Sequence, residues 1–276
     1  MTFEICGDTL ICKHNAGFFS CLSQRLNYIV QYSHSEKKYP PIVDSSQQFE
    51  AYKPTSQDFV TDFTDRFIKS KVEKVPEYIP DFVYTDQFTD YKLLEYSKLN
   101  PLIETYFSPS DEANAKVSQY EKELNIDYEN TCGVFYRGND KWKECHIASH
   151  DYFIERAEKV KSENPNIKFH VQTDEESFLQ DFLKVFPDST YIDELERIDN
   201  KDTIVAFDME VNEKRTLHGV KLIAAVVMLA KCKLLITHTG NCGFWSVLYR
   251  GHPDGIIQYY SDDKNKSKGW WINSNH

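Results

Sequence analysis

The second half of this 276-residue chain alternates short apolar runs with amphipathic segments. The apolar runs predict β-strands, and the segments between them have the three- and four-residue spacing of helices. The predicted strands are 132–136, 168–172, a short one near Tyr191, and 233–237, and the predicted helices are about 149–163, 176–185, 216–230 and 243–249. Strands that alternate with helices in this way form a parallel sheet with right-handed crossovers. The pattern therefore predicts an α/β fold for this half.

The first 45 residues predict a second, smaller unit of the same kind. A strand at 9–13 precedes a helix from Phe18 to about Tyr32, and a second strand begins at Ile42 after two prolines. This β-α-β order, combined with the second half, predicts two Rossmann-like lobes whose parallel sheets face a central cleft. We place the boundary near residue 128, giving lobes of 1–128 and 129–276.

The segment between the first β-α-β unit and residue 128 is less regular. The spacing of Phe59, Phe63, Phe67 and Ile68 predicts one helix. A second helix is predicted from Tyr91 to Leu99, ending at Asn100-Pro101 because the residue before a proline avoids helical dihedral angles. A charged helix is predicted over 108–124.

Charge and cysteine content narrow the function classes. The chain has 32 Lys and Arg against 43 Asp and Glu, a net charge of −11 that argues against nucleic-acid binding by bulk charge. An anionic ligand would therefore need a local basic pocket. The seven cysteines are an odd number without a Cys-x-x-Cys pair, and they predict buried thiols rather than a disulfide framework or a zinc site.

Targeting segments are not evident in the sequence. No apolar signal region follows Met1, and no apolar run approaches the roughly 20 residues that a membrane span requires. The longest such run, 222–230, predicts a core helix. The expected location is cytoplasmic, unless the sequence is a trimmed catalytic domain.

Ligands of α/β sheets bind outside the carboxyl ends of the strands, so the residues that follow each predicted strand are the candidates for a site. Four such stretches are polar or contain glycine, at 14–17, 137–141, 173–175 and 237–243. Because all four belong to strand ends, we expect them to meet at one cleft.

The second of these stretches provides the positive charge. Arg137 offers a fork of donors that suits a diphosphate, Gly138 lets a ligand approach the backbone, and Asp140 can orient the arginine or a sugar hydroxyl. Lys141 and Lys143 can complete a basic pocket. The alternative is a surface turn that carries an Arg-Asp pair.

The stretch from 237 to 243, Thr-His-Thr-Gly-Asn-Cys-Gly, is typical of a phosphate-binding turn. Small residues and two glycines precede a helix, so free backbone N–H groups and the positive end of the helix dipole could face an anion. The stretch is not a Walker loop, since no Gly-Lys-Ser or Gly-Lys-Thr follows. The alternative is an ordinary connection in which Thr239 or Asn241 caps the helix.

The remaining candidates each have a structural alternative. Thr173 and Asp174 could bind a ribose or base, or Asp174 could cap the following helix. His14 could serve as a general base, or it could be a buried structural histidine. Arg215 could add positive charge to the phosphate site or be solvated. Trp270 and Trp271 could stack on a sugar, or pack against the core.

Five short motifs in order resemble the fucosyltransferase superfamily of GT-B fold, which includes core α-1,6-fucosyltransferases, nodulation fucosyltransferases and protein O-fucosyltransferases. The motifs are Asn-Ala-Gly-Phe-Phe-Ser at 15–20, Phe-Tyr-Arg-Gly-Asn-Asp-Lys at 135–141, Val-Gln-Thr-Asp at 171–174, Leu-His-Gly-Val at 217–220, and Ile-Thr-His-Thr-Gly-Asn at 236–241. They cover the C-terminal half well and the N-terminal lobe only at its first turn. The order of the five motifs along the chain carries the resemblance.

The resemblance implies an inverting, metal-independent glycosyltransferase that needs no cofactor. Its donor would be a nucleotide sugar, with GDP-fucose favoured, held mainly by the C-terminal lobe, and a glycan or glycoprotein acceptor would enter between the lobes, with the N-terminal lobe on the acceptor side. By position, Arg137 would bind the β-phosphate, Asp140 and Lys141 would shape the donor pocket, Asp174 would contact the nucleoside, and Thr239 with its neighbours would hold the diphosphate. A fixed arginine and backbone amides can stabilise the charge that develops on a leaving diphosphate.

The full set of predicted site residues combines these motifs. The candidate catalytic residues are Arg137, Asp140, His14 and Glu144, of which His14, Asp140 and Glu144 are alternatives for the base. The candidate donor-binding residues are Asn15, Gly17, Phe18, Arg137, Lys141, Thr173, Asp174, Arg215, His218, Thr237, His238, Thr239, Gly240 and Asn241. No Asp-x-Asp motif for a metal occurs in the sequence.

Two departures from the family pattern leave the donor open. Phe135 stands where the family often has histidine, and Thr239 stands where it has serine. A UDP-sugar or another GDP-sugar is an alternative donor. A nucleotide- or glycan-binding module without catalysis is an alternative function.

Overall fold

The structure is a computed structural model that describes residues 3–55, 60–72, 76–139, 141, 147–199, 209 and 212–259. These residues form seven α-helices and ten strands in three sheets. The strands are β1 (Phe3–Cys6), β2 (Thr9–His14), β3 (Ile42–Gln48), β4 (Ile68–Lys69), β5 (Ser108–Pro109), β6 (Thr131–Tyr136), β7 (Lys168–Thr173), β8 (Thr190–Tyr191), β9 (Leu234–His238) and β10 (Ile256–Tyr259). The helices are α1 (Phe18–Glu36), α2 (Tyr96–Tyr106), α3 (Asp111–Leu124), α4 (His150–Glu163), α5 (Glu176–Val185), α6 (Glu213–Lys231) and α7 (Asn241–Arg250).

The C-terminal half is built on a five-stranded parallel sheet in the order β10-β9-β6-β7-β8. The central strand β6 pairs with β7 so that Tyr136 lies opposite Thr173, and with β9 so that Phe135 lies opposite Thr237. This register brings the carboxyl ends of β6, β7 and β9 to one edge of the sheet. The α/β prediction for this half is confirmed, while β10 was not predicted.

Alternate residues of β6 face two different helical layers. Cys132, Val134 and Tyr136 lie in an apolar core with α4 and α5. On the opposite face, a Cβ added at Gly133 would lie 3.0 Å from Leu229 Cδ2, so the glycine allows α6 to pack closely on the sheet. Helices on both faces explain why the strand is an uninterrupted run of small and apolar residues.

The N-terminal half has a smaller, mixed sheet in the order β1-β2-β3. The strands β2 and β3 are parallel and joined through α1, as the sequence predicts, while β1 is an additional antiparallel strand. The core beneath α1 continues into α6 and α7. Trp245 of α7, which is fully buried, donates from Nε1 to Ser23 Oγ of α1 at 2.9 Å. The two halves therefore share one apolar core where α1 packs against α6 and α7. The lobe boundary near residue 128 stays a prediction.

The predicted helix through Phe63 and Phe67 is wrong. A single 3₁₀ turn, Thr64–Arg66, precedes β4, which pairs with β5; Phe59 lies outside the described residues. Phe67 instead packs on Phe18, with ring centroids 5.0 Å apart. The spacing of these phenylalanines reflects a tertiary aromatic cluster rather than a helix face.

Two further helix boundaries also differ from expectation. The helix predicted over 91–99 is a 3₁₀ turn, Tyr91–Leu93, followed by α2, which contains Pro101 and continues to Tyr106. Proline removes one backbone hydrogen bond, and burial of Leu102 and Tyr106, both fully inaccessible to solvent, offsets that loss. The helix predicted from residue 108 begins at Asp111, because Ser110 caps it by accepting from Ala113 N at 3.0 Å.

No helix in the described part of the chain is long and apolar enough to cross a membrane.

Candidate functional site

A cavity of about 330 Å³ opens between the two halves at the carboxyl edge of the five-stranded sheet. Its lining combines the first turn of the N-terminal half with three strand ends and one face of α6. The lining residues are Ala16, Gly17, Phe18, Phe19, Ser20, Tyr52, Phe135, Arg137, Lys141, Gln172, Thr173, Asp174, Leu195, Glu196, His218, Leu222, Ala225, Val226, Leu229, Thr239, Gly240, Asn241, Cys242 and Gly243. The four stretches that the sequence singled out therefore each contribute to one cavity.

Arg137 and Asp174 follow the paired strands β6 and β7 and meet in this cavity. Arg137 Nε lies 3.6 Å from Asp174 Oδ2, and Asp174 Oδ1 accepts from the Gly138 backbone N–H at 3.2 Å. Asp174 does not cap α5, whose N-cap residue is Glu175 and has no side-chain capping bond. The carboxylate instead orients the arginine and the start of the loop after β6.

Lys141 supplies a second cation at the start of α7. A Cβ added at Gly240 would lie 2.8 Å from Lys141 Cε and 2.9 Å from its Nζ. The lysine is 5% exposed and its Nζ lies 5.4 Å from the centroid of the Phe88 ring. Gly240 has φ 129°, a backbone conformation that L side chains rarely adopt. Glycine at this position therefore serves both the turn and the close approach of the lysine.

The amino end of α7 faces the same cavity. Gly240 is its N-cap residue without a side-chain capping bond, and Asn241, Cys242 and Gly243 are the first helical residues. Backbone N–H groups in the first turn of a helix have no acceptor within the helix, and they carry its positive dipole. The alternative interpretation of this stretch, a cap by Thr239 or Asn241, does not describe the structure.

The side chains around this turn hold its shape. Thr239 Oγ1 donates to Tyr259 O at 2.6 Å and accepts from Gln258 Nε2 at 3.0 Å. Asn241 Oδ1 accepts from Ser23 Oγ at 2.6 Å. A Cβ at Gly243 would lie 2.2 Å from His238 O, so this position also requires glycine.

Much of the cavity lining is apolar. Its apolar lining residues include Phe135, Leu195, Leu222 and Leu229, and Glu196 adds a carboxylate. A largely apolar lining with a few polar groups suits the faces of a planar ring.

His218 and Tyr52 lie on a wall of the cavity and stack at 6.3 Å between ring centroids. Burial lowers the pKa of His218 to about 4, so its imidazole is neutral near pH 7.

A hydrogen-bonded chain of His14, Ser20 and Tyr84 reaches the cavity from the N-terminal half. His14 Nε2 lies 2.9 Å from Ser20 Oγ, which lies 2.7 Å from Tyr84 OH. Ser20 lines the cavity and His14 does not. Burial lowers the pKa of His14 and favours the neutral imidazole, the form able to accept a proton. Ser20 and Tyr84 were not predicted from the sequence, although Ser20 ends the first motif.

Four predicted donor-binding residues lie outside the lining. Arg215 donates to Met209 O from Nε at 3.1 Å and from Nη2 at 2.8 Å. Asn15 Nδ2 donates to Gln47 O at 3.2 Å, and Thr237 and His238 are buried in β9. These side chains contribute to the framework of the site in this structure. Asp140, Lys143, Glu144, Trp270 and Trp271 lie outside the described residues.

Among the residues described, no group of three or more His, Cys, Asp or Glu side chains has an arrangement that could hold a metal ion.

Comparison with solved structures gives the fold. The structure of a NodZ α-1,6-fucosyltransferase soaked with GDP-fucose superposes with a TM-score of 0.54 at 14% identity, covering 93% of this chain and 95% of that one. A NodZ crystal grown with GDP gives 0.52 at 14% identity, covering 87% and 90%, and NodZ from Bradyrhizobium gives 0.52 at 14%, covering 90% and 94%. The protein has a fucosyltransferase-like GT-B fold. The predicted fold class is thereby confirmed over nearly the whole length of both chains. No protein-family model and no curated protein matches the sequence.

Proposed function

We propose that this protein is an inverting, metal-independent glycosyltransferase that transfers a sugar, with fucose from GDP-fucose favoured, to a glycan hydroxyl. The observation that carries the proposal is the convergence of Arg137, Lys141 and the first turn of α7 on one cavity. No cofactor takes part in the proposed reaction.

A diphosphate fits this set of groups. When the sugar leaves the nucleotide, negative charge develops on the β-phosphate oxygen, and fixed positive groups lower the barrier most when they are already in place. Arg137, oriented by Asp174, offers a planar fork of donors, and Lys141 adds a compact charge beside Gly240. The amides of α7 add the helix dipole. In this proposal these groups supply the positive charge that a divalent metal supplies in other glycosyltransferases.

The nucleoside is assigned to the apolar residues of the cavity lining. Phe135, Leu195 and Leu222 can enclose a planar base, while Asp174 and Glu196 provide acceptors for base or ribose donors. The NodZ structures soaked with GDP-fucose and crystallised with GDP support a GDP-sugar as the first donor to test.

The acceptor is assigned to the side of the cavity formed by the N-terminal half. In a single displacement, the acceptor oxygen forms a bond to the anomeric carbon as the bond to the β-phosphate oxygen breaks. The electron pair of that bond goes to the diphosphate, and the hydroxyl proton goes to a base. His14, acting through Ser20, is one candidate base. Asp140 and Glu144 remain the other two.

The nature of the donor is tested first with a nucleotide panel. The melting temperature is measured with GDP, UDP and ADP-ribose, and then release of free sugar from each matching nucleotide sugar is followed. We expect stabilisation by GDP above the other two and slow hydrolysis of GDP-fucose. Stabilisation by UDP would assign a UDP-sugar, and stabilisation by none of the three would contradict the proposal.

A second function, nucleotide or glycan binding without catalysis, is motivated by Phe135, which lines the cavity where the family often has histidine. The same panel separates the two functions. GDP binding without hydrolysis of the donor, and without transfer to any glycan of an acceptor array, would favour the binding module.

A further inference from the structure

Two consecutive carboxylates follow β7, and both contact the loop after β6. Asp174 lines the cavity and accepts from Gly138 N. Glu175 is not part of the cavity lining, and its Oε2 accepts from Asn139 N at 3.3 Å. The same loop begins with Arg137 and carries Lys141 four residues later.

Glu175 occupies the space that a side chain at position 138 would need. A Cβ added at Gly138 would lie 1.5 Å from Glu175 Oε2 and 2.7 Å from its Cδ. Gly138 is therefore the residue that lets the carboxylate reach the backbone of this loop.

The loop makes a tight turn that depends on such contacts. Asn139 has φ 42°, in the left-handed region, and its Nδ2 donates to Asp174 O at 2.7 Å. Lys141 N donates to Gly138 O at 3.1 Å, closing the turn that brings the lysine back to the cavity. A left-handed residue other than glycine persists only where its surroundings hold it.

Glu175 is itself fixed by a chain of alternating charges. Its Oε1 accepts from Ser177 Oγ at 2.8 Å and lies 3.0 Å from His150 Nε2. His150 Nδ1 lies 2.9 Å from Asp181 Oδ2, and Lys184 Nζ donates to Asp181 Oδ1 at 2.8 Å. The hydrogen bond with Glu175 raises the pKa of His150, and the same bond lowers the pKa of Glu175. This series of charged side chains therefore ends at the backbone of the loop after β6.

We propose that Glu175, held by His150, is a positioning residue for the donor: it fixes the turn at Gly138 and Asn139 so that Arg137 and Lys141 already face the diphosphate site. The inference rests on the proposed function and concerns residues that do not touch the donor. Preorganisation of this kind strengthens binding because the loop does not have to be ordered when the ligand arrives.

The first test is a double-mutant cycle read by GDP affinity in calorimetry. Glu175→Ala removes the carboxylate, and Gly138→Ala places a methyl group where the carboxylate lies. We expect each variant to weaken GDP binding about 10-fold, and the double variant to be no weaker than either one, because both remove the same contact. Glu155→Ala, an exposed carboxylate of α4, is the matched control and should bind GDP like the wild type.

Additive losses in the cycle would contradict the proposal. So would wild-type GDP affinity in both single variants. If one variant fails to fold, the other single variant and the pH measurement below give the answer.

The second test measures how GDP affinity depends on pH. A role of His150 in stability alone would not predict the direction in which GDP affinity changes with pH. The charged groups that face His150 are Glu175 and Asp181, and Lys184 lies on the far side of Asp181. The ring of Tyr136 packs edge-on against the imidazole. Burial raises the pKa of Tyr136, so this side chain stays neutral. The raised pKa of His150 means that its ion pairs are intact below the ordinary value near 6.5 and are lost as pH rises through the raised value.

The GDP affinity of the wild type, divided by that of His150→Gln, should therefore fall as pH increases above 6.5. Ionisation of the nucleotide phosphate is common to both proteins and cancels in this ratio. A ratio that does not change between pH 6 and 9 would contradict the role of His150.

These outcomes separate the inference from the proposed function. If Arg137→Ala weakens GDP while Glu175→Ala and Gly138→Ala do not, the positioning role is wrong and the donor site stands. If the wild type binds no nucleotide, both are wrong.

Discussion

Substitution of Gly240 by alanine should damage both the stability and the donor site, for two reasons that can be separated. Its φ of 129° belongs to a region that is occupied almost only by glycine, and strain of this kind costs about 1–3 kcal/mol. For a chain of this size, each kcal/mol of lost stability lowers the melting temperature by about 2–4 °C. The expected decrease is therefore roughly 2–12 °C.

The second effect is on Lys141. The new methyl group would lie 2.8 Å from Lys141 Cε and 2.9 Å from Nζ, closer than real contacts allow, so the flexible lysine side chain must move away. A hydrogen bond to a charged group contributes about 1.5–3 kcal/mol, so losing the ammonium from the diphosphate site should weaken GDP binding about 10- to 100-fold.

Gly251→Ala provides a matched control for the strain. Gly251 ends α7 with φ 75°, and a Cβ there would meet only the side chain of Asn100, with Nδ2 at 3.1 Å. It should lose stability by about 1–2 kcal/mol and keep its affinity for GDP. The assay is thermal unfolding together with calorimetric titration of GDP into all three proteins. Wild-type GDP affinity in Gly240→Ala, in a sample that shows the expected loss of stability, would refute the placement of Lys141 at the diphosphate.

Two further predictions concern the fold. Trp245→Phe removes the hydrogen-bond donor to Ser23 Oγ between α1 and α7 and leaves space in the shared core. The free energy of unfolding should therefore fall by about 1–3 kcal/mol. An unchanged free energy of unfolding in chemical denaturation would contradict that role. Burial lowers the pKa of His170 to about 4. As pH falls below 6.5, the unfolded chain therefore binds a proton at this histidine that the folded protein does not bind. The free energy of unfolding should decrease by up to about 3 kcal/mol by pH 4. His170→Gln should lose this part of the acid dependence, and an identical pH profile in denaturant titrations would show the assignment to be wrong.

The alternation of strands and helices was predictable because hydrophobic periodicity is a local property. The carboxyl ends of β6, β7 and β9 could also be placed at one edge, since parallel strands joined by right-handed crossovers leave no other arrangement. The segment with Phe63 and Phe67 was not predictable, because its spacing matches a helix while its side chains serve an aromatic cluster formed with distant residues.

The roles of individual site residues were harder to predict, since they depend on contacts between elements far apart in sequence. Arg215 and Thr239 were both candidates for a phosphate site, yet Arg215 binds the carbonyl of Met209, and Thr239, which lines the cavity, also binds β10. Ser20 ends the first motif and Glu175 belongs to one of the four polar strand ends, but neither pattern indicated what the side chain contacts. In the structure, Ser20 contacts His14, and Glu175 fills the space that the missing side chain of Gly138 leaves. A sequence pattern can indicate which strand ends meet, but it does not give the direction of each side chain there.

The most direct test of the central claim compares GDP with GMP, which lacks the β-phosphate, in wild type and Arg137→Ala. If Arg137 binds the β-phosphate, the wild type should prefer GDP over GMP, and the variant should lose about 2 kcal/mol of that preference, roughly 30-fold. Arg156→Ala, which removes an exposed arginine of α4 stacked on Tyr152, is the control and should keep the wild-type preference. An undiminished preference for GDP in Arg137→Ala would contradict the account.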